Sequence, residues 1–174
     1  LARRRFWGHT VVNALVHLPL VLPPVVTGFL LLRIFGTRGP VGAWLADTFG
    51  IVLAFRWTGA VVAAAVMGFP LMVRAIRSSI EGVDPRLEEA AATLGASPAW
   101  RLLTITLPLA VPGILAGAIL GFAKALGEFG ATITFAGNLQ GRTQTLPLAV
   151  FERLQTDQDA AFAISMLLIA IAFA

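Results

Sequence analysis

Residues 107–126 read LPLAVPGILAGAILGFAKAL, a stretch with one charge, at Lys124. As a helix rising 1.5 Å per residue it is long enough to cross ~30 Å of hydrocarbon. Three further apolar stretches accompany it, at roughly 11–34, 58–73 and from about Ala160 onward. In 174 residues, 57% hydrophobic and 13% charged, little polar material remains to enclose them. Ordinary soluble domains are about 45–50% apolar and about 25% charged, and so short a chain cannot hide this much apolar surface in one water-soluble core. With a mean hydropathy of +0.85, the expected solvent is lipid and the expected fold an all-α polytopic membrane domain of four spans over residues 1–174.

The net charge of +4 and pI near 11.3 do not indicate nucleic acid, since a binding face needs clustered Lys and Arg. The one basic run, Arg3-Arg4-Arg5, precedes an apolar segment, as a cytoplasmic membrane anchor does. It does not open a signal peptide: a long Pro-broken span follows, without a cleavage site. Cysteine is absent, which excludes disulfides, thiolate metal sites and Cys nucleophiles. The chain opens LARRRF without Met and stops at LLIAIAFA inside an apolar run. A complete protein is expected to carry another span before Leu1 and more helix after Ala174.

Pro19, Pro23 and Pro24 are expected to kink the first span, each lacking an N–H and crowding the preceding turn. Prolines at that depth are tolerated where protein or a cavity covers the freed carbonyls. Residues 36–57 carry turn signals, scattered charge, Trp44 and Trp57, and read as a loop with an interfacial helix. Residues 78–106 form a polar loop between the second and third spans, and 127–159 mix Gly, Thr, Pro and charges. Arg3, Arg4, Arg5, Arg74, Arg77, Arg86 and Arg101 fall on one side, and Arg33, Arg38, Arg56, Arg142 and Arg153 on the other. That excess places 78–106 in the cytoplasm by the positive-inside rule.

The polar loop has its own punctuation. Asp84-Pro85 starts a helix, Asp capping free N–H groups and Pro suiting the first position. Glu88 and Glu89 follow, where the helix dipole favours negative charge. The helix, 86–94, is expected to stop at Gly95 through a left-handed cap, and Ser97-Pro98 to start a second one. A surface connection without a partner is the plain alternative. A helix-turn-helix reader of DNA is another, but it needs basic and amide side chains on its recognition helix, and only Arg101 is offered before lipid.

The spacing Glu89-Ala90-Ala91, three residues, Gly95, nine residues, Ile105, one residue, Leu107-Pro108 resembles the EAA loop of ABC-importer permease subunits in its whole register. The segments HLPLVLPPVVTGFLLL (17–32), FRWTGAVVAAAVMGFPLMVRAIR (55–77) and LGFAKALGEFGATITFAGN (120–138) are similar to the molybdate permeases of bacterial importers. The sulfate permeases share GEFGA and resemble the chain less in its Pro-rich first span. The resemblance covers essentially the whole chain and implies a type I ABC-importer permease in the bacterial cytoplasmic membrane. It would act as a homodimer in lipid with two ATPase subunits and an extracytoplasmic oxyanion-binding protein. It also implies that Arg86, Glu88, Glu89, Ala90, Ala91, Leu94, Gly95, Ala96 and Ser97 form a coupling helix and its elbow against the ATPase. Sulfate remains the alternative cargo. An ion-coupled secondary transporter is the rival from another class, although no internal repeat of the kind such folds show is visible; a non-transporting scaffold is a third reading.

Lys124 and Glu128, four apart near the outer end of the third span, are costly charges at membrane depth. They read either as a structural ion pair or, with Phe129, Thr132 and Thr134, as a gate or pathway lining, since GEFGA lies near the gate in the family. Gly113, Gly117 and Gly121 give two GxxxG steps, whose usual reason is close helix packing, within the chain or across a dimer. Arg33, Arg38 and Arg56 either anchor helix ends at headgroups or dock an acidic surface. His17 reads as hydrogen-bonded packing. No set of residues stands at metal-ligand spacing, no GxxxxGK[ST] loop is present and no triad is suggested. The chain is thus read as a transport subunit without catalytic residues, cofactor or metal, the ATPase chemistry belonging to its partner.

Overall fold

A computed structural model describes residues 7–173, so the basic run Arg3-Arg4-Arg5 lies outside the described residues. In chain order the helices are α1 (His9–Val21), α2 (Pro24–Phe35), α3 (Pro40–Phe49), α4 (Trp57–Gly82), α5 (Pro85–Thr93), α6 (Pro98–Arg101), a π-helical turn (Leu102–Thr106), α7 (Leu107–Leu126), α8 (Gly130–Phe135), α9 (Leu146–Arg153) and α10 (Gln158–Phe173). No strand occurs among the described residues. Two continuous helices are long and apolar enough to cross a membrane, Trp57–Gly82 and Pro98–Leu126. A third crossing is available if α1 and α2 count as one broken span, and α10 is a shorter apolar helix.

The first apolar stretch departs from expectation. Its bend is far sharper than a kink: α1 and α2 meet at 119°. Pro19 sits inside α1 without ending it, and the break falls at Pro23, whose backbone is extended at φ −54°, ψ 137°. A residue that precedes proline is driven out of the α region by the following ring, so Pro24 straightens Pro23 and then starts the next helix itself. The second stretch is longer than read: α4 continues to Gly82, so the first residues of the polar loop are helical. Residues 127–159, with their mixture of Gly, Thr, Pro and charges, contain α8 and α9.

The chain forms two compact units. The first takes the chain as far as Val16 together with Phe69–Gly121. Within it, α7 has two different faces. Ala110, Gly113 and Gly117, at helical spacing, turn toward the second half of α4: the Ser79 hydroxyl donates to Ala110 O at 3.2 Å. A Cβ added at Gly113 would lie 2.1 Å from that of Ser79, and one at Gly117 3.1 Å from Met72 O. Leu115 and Ile119 are exposed on the opposite face, as lipid-facing residues are. Gly121, the third glycine of the series, is half-buried. Arg77 closes the unit, its Nε paired with Glu81 at 2.7 Å and its Nη1 donating to Asn13 Oδ1 at 3.2 Å.

The second unit takes His17–Gly68 and Phe122–Ala174. Its core is Leu31, Ala54, Ala63, Met67, Ala131 and Phe135, gathered where α2 lies against α8. That approach is close enough to require glycine on both sides. A Cβ on Gly28 would stand 2.7 Å from Ala131 O and 2.8 Å from Ala131 Cα, and one on Gly130 would stand 2.8 Å from Pro24 Cβ. Gly28→Ala therefore meets backbone and forces the helices apart, at about 1–3 kcal/mol for overpacking of this kind. Thermal unfolding of the detergent-solubilised permease should show that loss. Gly82→Ala is the control, since its Cβ meets open space.

Candidate functional site: the polar elbow

The elbow lies in the first unit, between α4 and α7, and its local sequence explains each turn. The Asp84 carboxylate accepts from Arg86 N at 2.9 Å, Pro85 fills the first helical position and Glu88 lies in the first turn. At the far end, Gly95 has φ +83°, a left-handed conformation that glycine alone adopts without penalty. Gly95 N donates to Ala92 O and Ala96 N to Ala91 O, both at 3.0 Å. Those two bonds are the paired closure of a Schellman C-terminus. The chain then restarts: Ser97 Oγ accepts from Trp100 N at 3.3 Å and Pro98 opens α6.

This geometry brings Ala91, Leu94, Gly95, Ala96 and Ser97 together around one shallow hollow of about 470 Å³, with Trp100 as its sixth side. Leu94 is 89% exposed, and Leu87 and Trp100 are about half exposed. An apolar hollow rimmed by a capped helix is suited to receive a side chain from another protein. Arg86, Glu89 and Ala90 are exposed, whereas Glu88 is turned inward. Adjacent carboxylates thus serve different surroundings. Thr106 Oγ1 donates to Glu88 Oε1, and Arg101 Nη1 reaches Glu88 O at 3.4 Å. Arg101 Nε is buried with no hydrogen-bond partner.

Trp100, Thr106 and the inward role of Arg101 were missed from sequence. Trp100 had a usable signal, three residues after the Ser97-Pro98 start. Thr106 had none, because its orientation depends on the π-helical turn, in which Leu107 N donates to Leu102 O five residues back. One such inserted residue rotates everything after it by about 100° relative to an unbroken α-helix.

The second group of candidates lies in the second unit, at the passage from α7 to α8. Lys124 Nζ and Glu128 Oε2 are 2.9 Å apart. Glu128 is 2% exposed, and its other oxygen accepts from Ala131 N at 2.9 Å, capping α8. The hydroxyls of Thr132 and Thr134 donate to nearby backbone. Thr132 Oγ1 donates to Phe129 O at 2.8 Å and Thr134 Oγ1 to Gly130 O at 2.8 Å, while Thr132 itself is buried. Phe129 packs on Phe151 with ring centres 5.2 Å apart. These residues form a knot of hydrogen bonds around an ion pair whose carboxylate is buried and whose ammonium is partly exposed.

Arg33 and Arg38 line a small recess with Gly36, Thr37 and Phe55; Arg33, Arg38 and Arg56 are all exposed. His17 is half-buried on α1. Among the described residues no three His, Cys, Asp or Glu side chains gather as metal ligands would.

Comparison with known proteins places this geometry. The profile of the family described as binding-protein-dependent transport system inner membrane component matches residues 1–174. The Molybdenum transport system permease protein ModB of Haemophilus influenzae is 57% identical over 157 residues, which cover 90% of this chain and 68% of the relative. Its Escherichia coli K12 counterpart is 55% identical over 175 residues, covering 100% of this chain and 76% of the relative. The Sulfate transport system permease protein CysT of E. coli K12 is 41% identical over 171 residues, 98% of this chain and 61% of the relative.

Proposed function

The chain belongs to the family of binding-protein-dependent transport system inner membrane components, and from that premise we propose that it is the permease subunit of an ATP-driven molybdate importer. It is a multi-pass membrane protein and a transport subunit rather than an enzyme. The cargo assignment rests on the 55–57% identity to molybdenum permeases against 41% to the sulfate permease. Molybdate, tungstate and sulfate are all tetrahedral dianions, so the finer choice depends on that ranking.

The elbow carries the mechanism. Residues 78–106 face the cytoplasm, where α5 and the elbow after it dock on a separate ATPase through Leu87, Leu94 and Trp100, with Arg86 and Glu89 at the exposed polar surface. ATP binding draws the ATPases together, α5 follows, and the spans rock between inward and outward access. A second copy of the chain completes the pathway, and an extracytoplasmic oxyanion-binding protein delivers the dianion. Arg33, Arg38 and Arg56 lie on the side where that delivery occurs. The Lys124–Glu128 pair sits in the GEFGA segment and is a gate element on this reading, since ionisable side chains at membrane depth are costly and most often functional.

The single supporting observation is the elbow: a fully capped helix with a left-handed glycine, exposing Leu94 and Trp100 to a partner. The test is reconstitution of the full-length permease with its ATPase and binding protein in proteoliposomes. Molybdate and tungstate are expected to stimulate ATP hydrolysis and sulfate to leave it at the basal rate. A preference for sulfate would overturn the cargo and leave the coupling intact. An ATPase that never associates would overturn the coupling reading and bring forward an ion-driven transporter.

A further inference from the structure

Glu88 is the point where the elbow is tied to the span that follows it. Two hydrogen bonds from the following helix converge on this residue, one from Thr106 to its carboxylate and one from Arg101 to its carbonyl. Thr106 is 2% exposed, so its hydroxyl cannot touch a docked protein. It is also the last residue of the π-helical turn, immediately before the apolar run of α7. A π-helical turn is a single wide turn within an α-helix, a form found often at functional sites, and the helix can take up or release one residue of register there. The neighbouring Glu89 is exposed and contributes to the docking surface instead.

We propose that Glu88 is a positioning residue that transmits displacement of α5 to the span Leu107–Leu126 through its bond to Thr106. The inference rests on the coupling reading above. When a partner moves α5, the Glu88 carboxylate carries Thr106 with it, and the wide turn between Leu102 and Thr106 is where the span changes register or tilt. Without this bond, α5 still binds its partner but moves independently of the span.

The experiment uses the full permease reconstituted with its ATPase and binding protein, with three readouts: ATPase co-purification, ATP hydrolysis and molybdate imported per ATP consumed. Glu88→Ala and Thr106→Val are each expected to retain the ATPase and to lower molybdate per ATP about tenfold, the scale of a typical inter-site coupling. The double variant should be no worse than either single, as for two ends of one link. Thr106→Ser keeps the hydroxyl and should stay near the parent ratio. Thr106→Ala supplies the same loss should the valine variant fail to insert. The proposal is overturned if removal of the Thr106 hydroxyl leaves the ratio unchanged, if Thr106→Ser falls as far as Thr106→Val, or if the double loss is the product of the single ones. It is also overturned if Glu88→Ala releases the ATPase while Thr106→Val keeps it, because Glu88 would then be a docking contact. Failure of the ATPase to bind the parent permease is a separate result and defeats the coupling reading itself.

Discussion

Gly95→Pro is expected to reduce ATP-driven uptake by about a hundredfold or more while membrane insertion is unchanged. Gly95 holds φ +83°, and the proline ring fixes φ near −65°. Its N–H donates to Ala92 O, and proline has no N–H to replace it. A mismatch of this kind costs roughly 3 kcal/mol or more, enough to unmake the Schellman closure and swing α6 away from α5. Gly95→Ala grades the effect: its Cβ meets open space, so only the left-handed conformation is penalised, by about 1–2 kcal/mol. Glu89→Lys reverses an exposed charge without disturbing the elbow and should weaken ATPase association directly. Uptake in proteoliposomes, with co-purification of the ATPase, separates a misfolded elbow from a repelled partner. Normal uptake in both Gly95→Pro and Glu89→Lys would show that the elbow does not couple.

The second large effect is expected at Glu128. Glu128→Ala removes the partner of Lys124 and the cap on Ala131 N together. Breaking a buried ion pair at one end costs about 3–5 kcal/mol because the other charge is left behind. The low end, about 3 kcal/mol, applies here because Lys124 keeps 33% of its side chain exposed. Glu128→Gln retains an acceptor for the Ala131 N–H and should lose about half as much, the ionic part alone. Thermal unfolding in detergent reads both variants. Equal stability of Glu128→Ala and the parent would mean that the knot does not hold the α7–α8 passage.

The local punctuation of the elbow was open to reading because its causes are local. Asp84, Pro85, Gly95, Ser97 and Pro98 each act on backbone within a few residues, and each takes the conformation its chemistry favours. The long apolar runs were equally legible, since length and hydropathy depend on no neighbour. The bend in the first span was legible as a kink but its place and sharpness were not, because three prolines looked equivalent; the chain opens at Pro23, which Pro24 holds out of the α region. Helix α8 escaped notice for a different reason. Six residues are too few to show a period, and Thr132, Ile133 and Thr134 favour extended backbone. It is helical because Glu128 caps it and α2 packs against it through Gly28. The π-helical turn had no cue in composition or spacing, and with it Thr106 stayed hidden.

The opposed facing of Glu88 and Glu89 divides one short helix between two surfaces. On the coupling proposed above, the outer position serves the ATPase and the inner one the membrane domain. On that reading, exchanging Glu89, Leu94 or Trp100 to suit a different motor should not require retuning the span, provided Glu88 and Thr106 stay matched. A grafted outer face should therefore be portable between transporters, whereas a graft that separates Glu88 from its threonine should bind the new motor and idle.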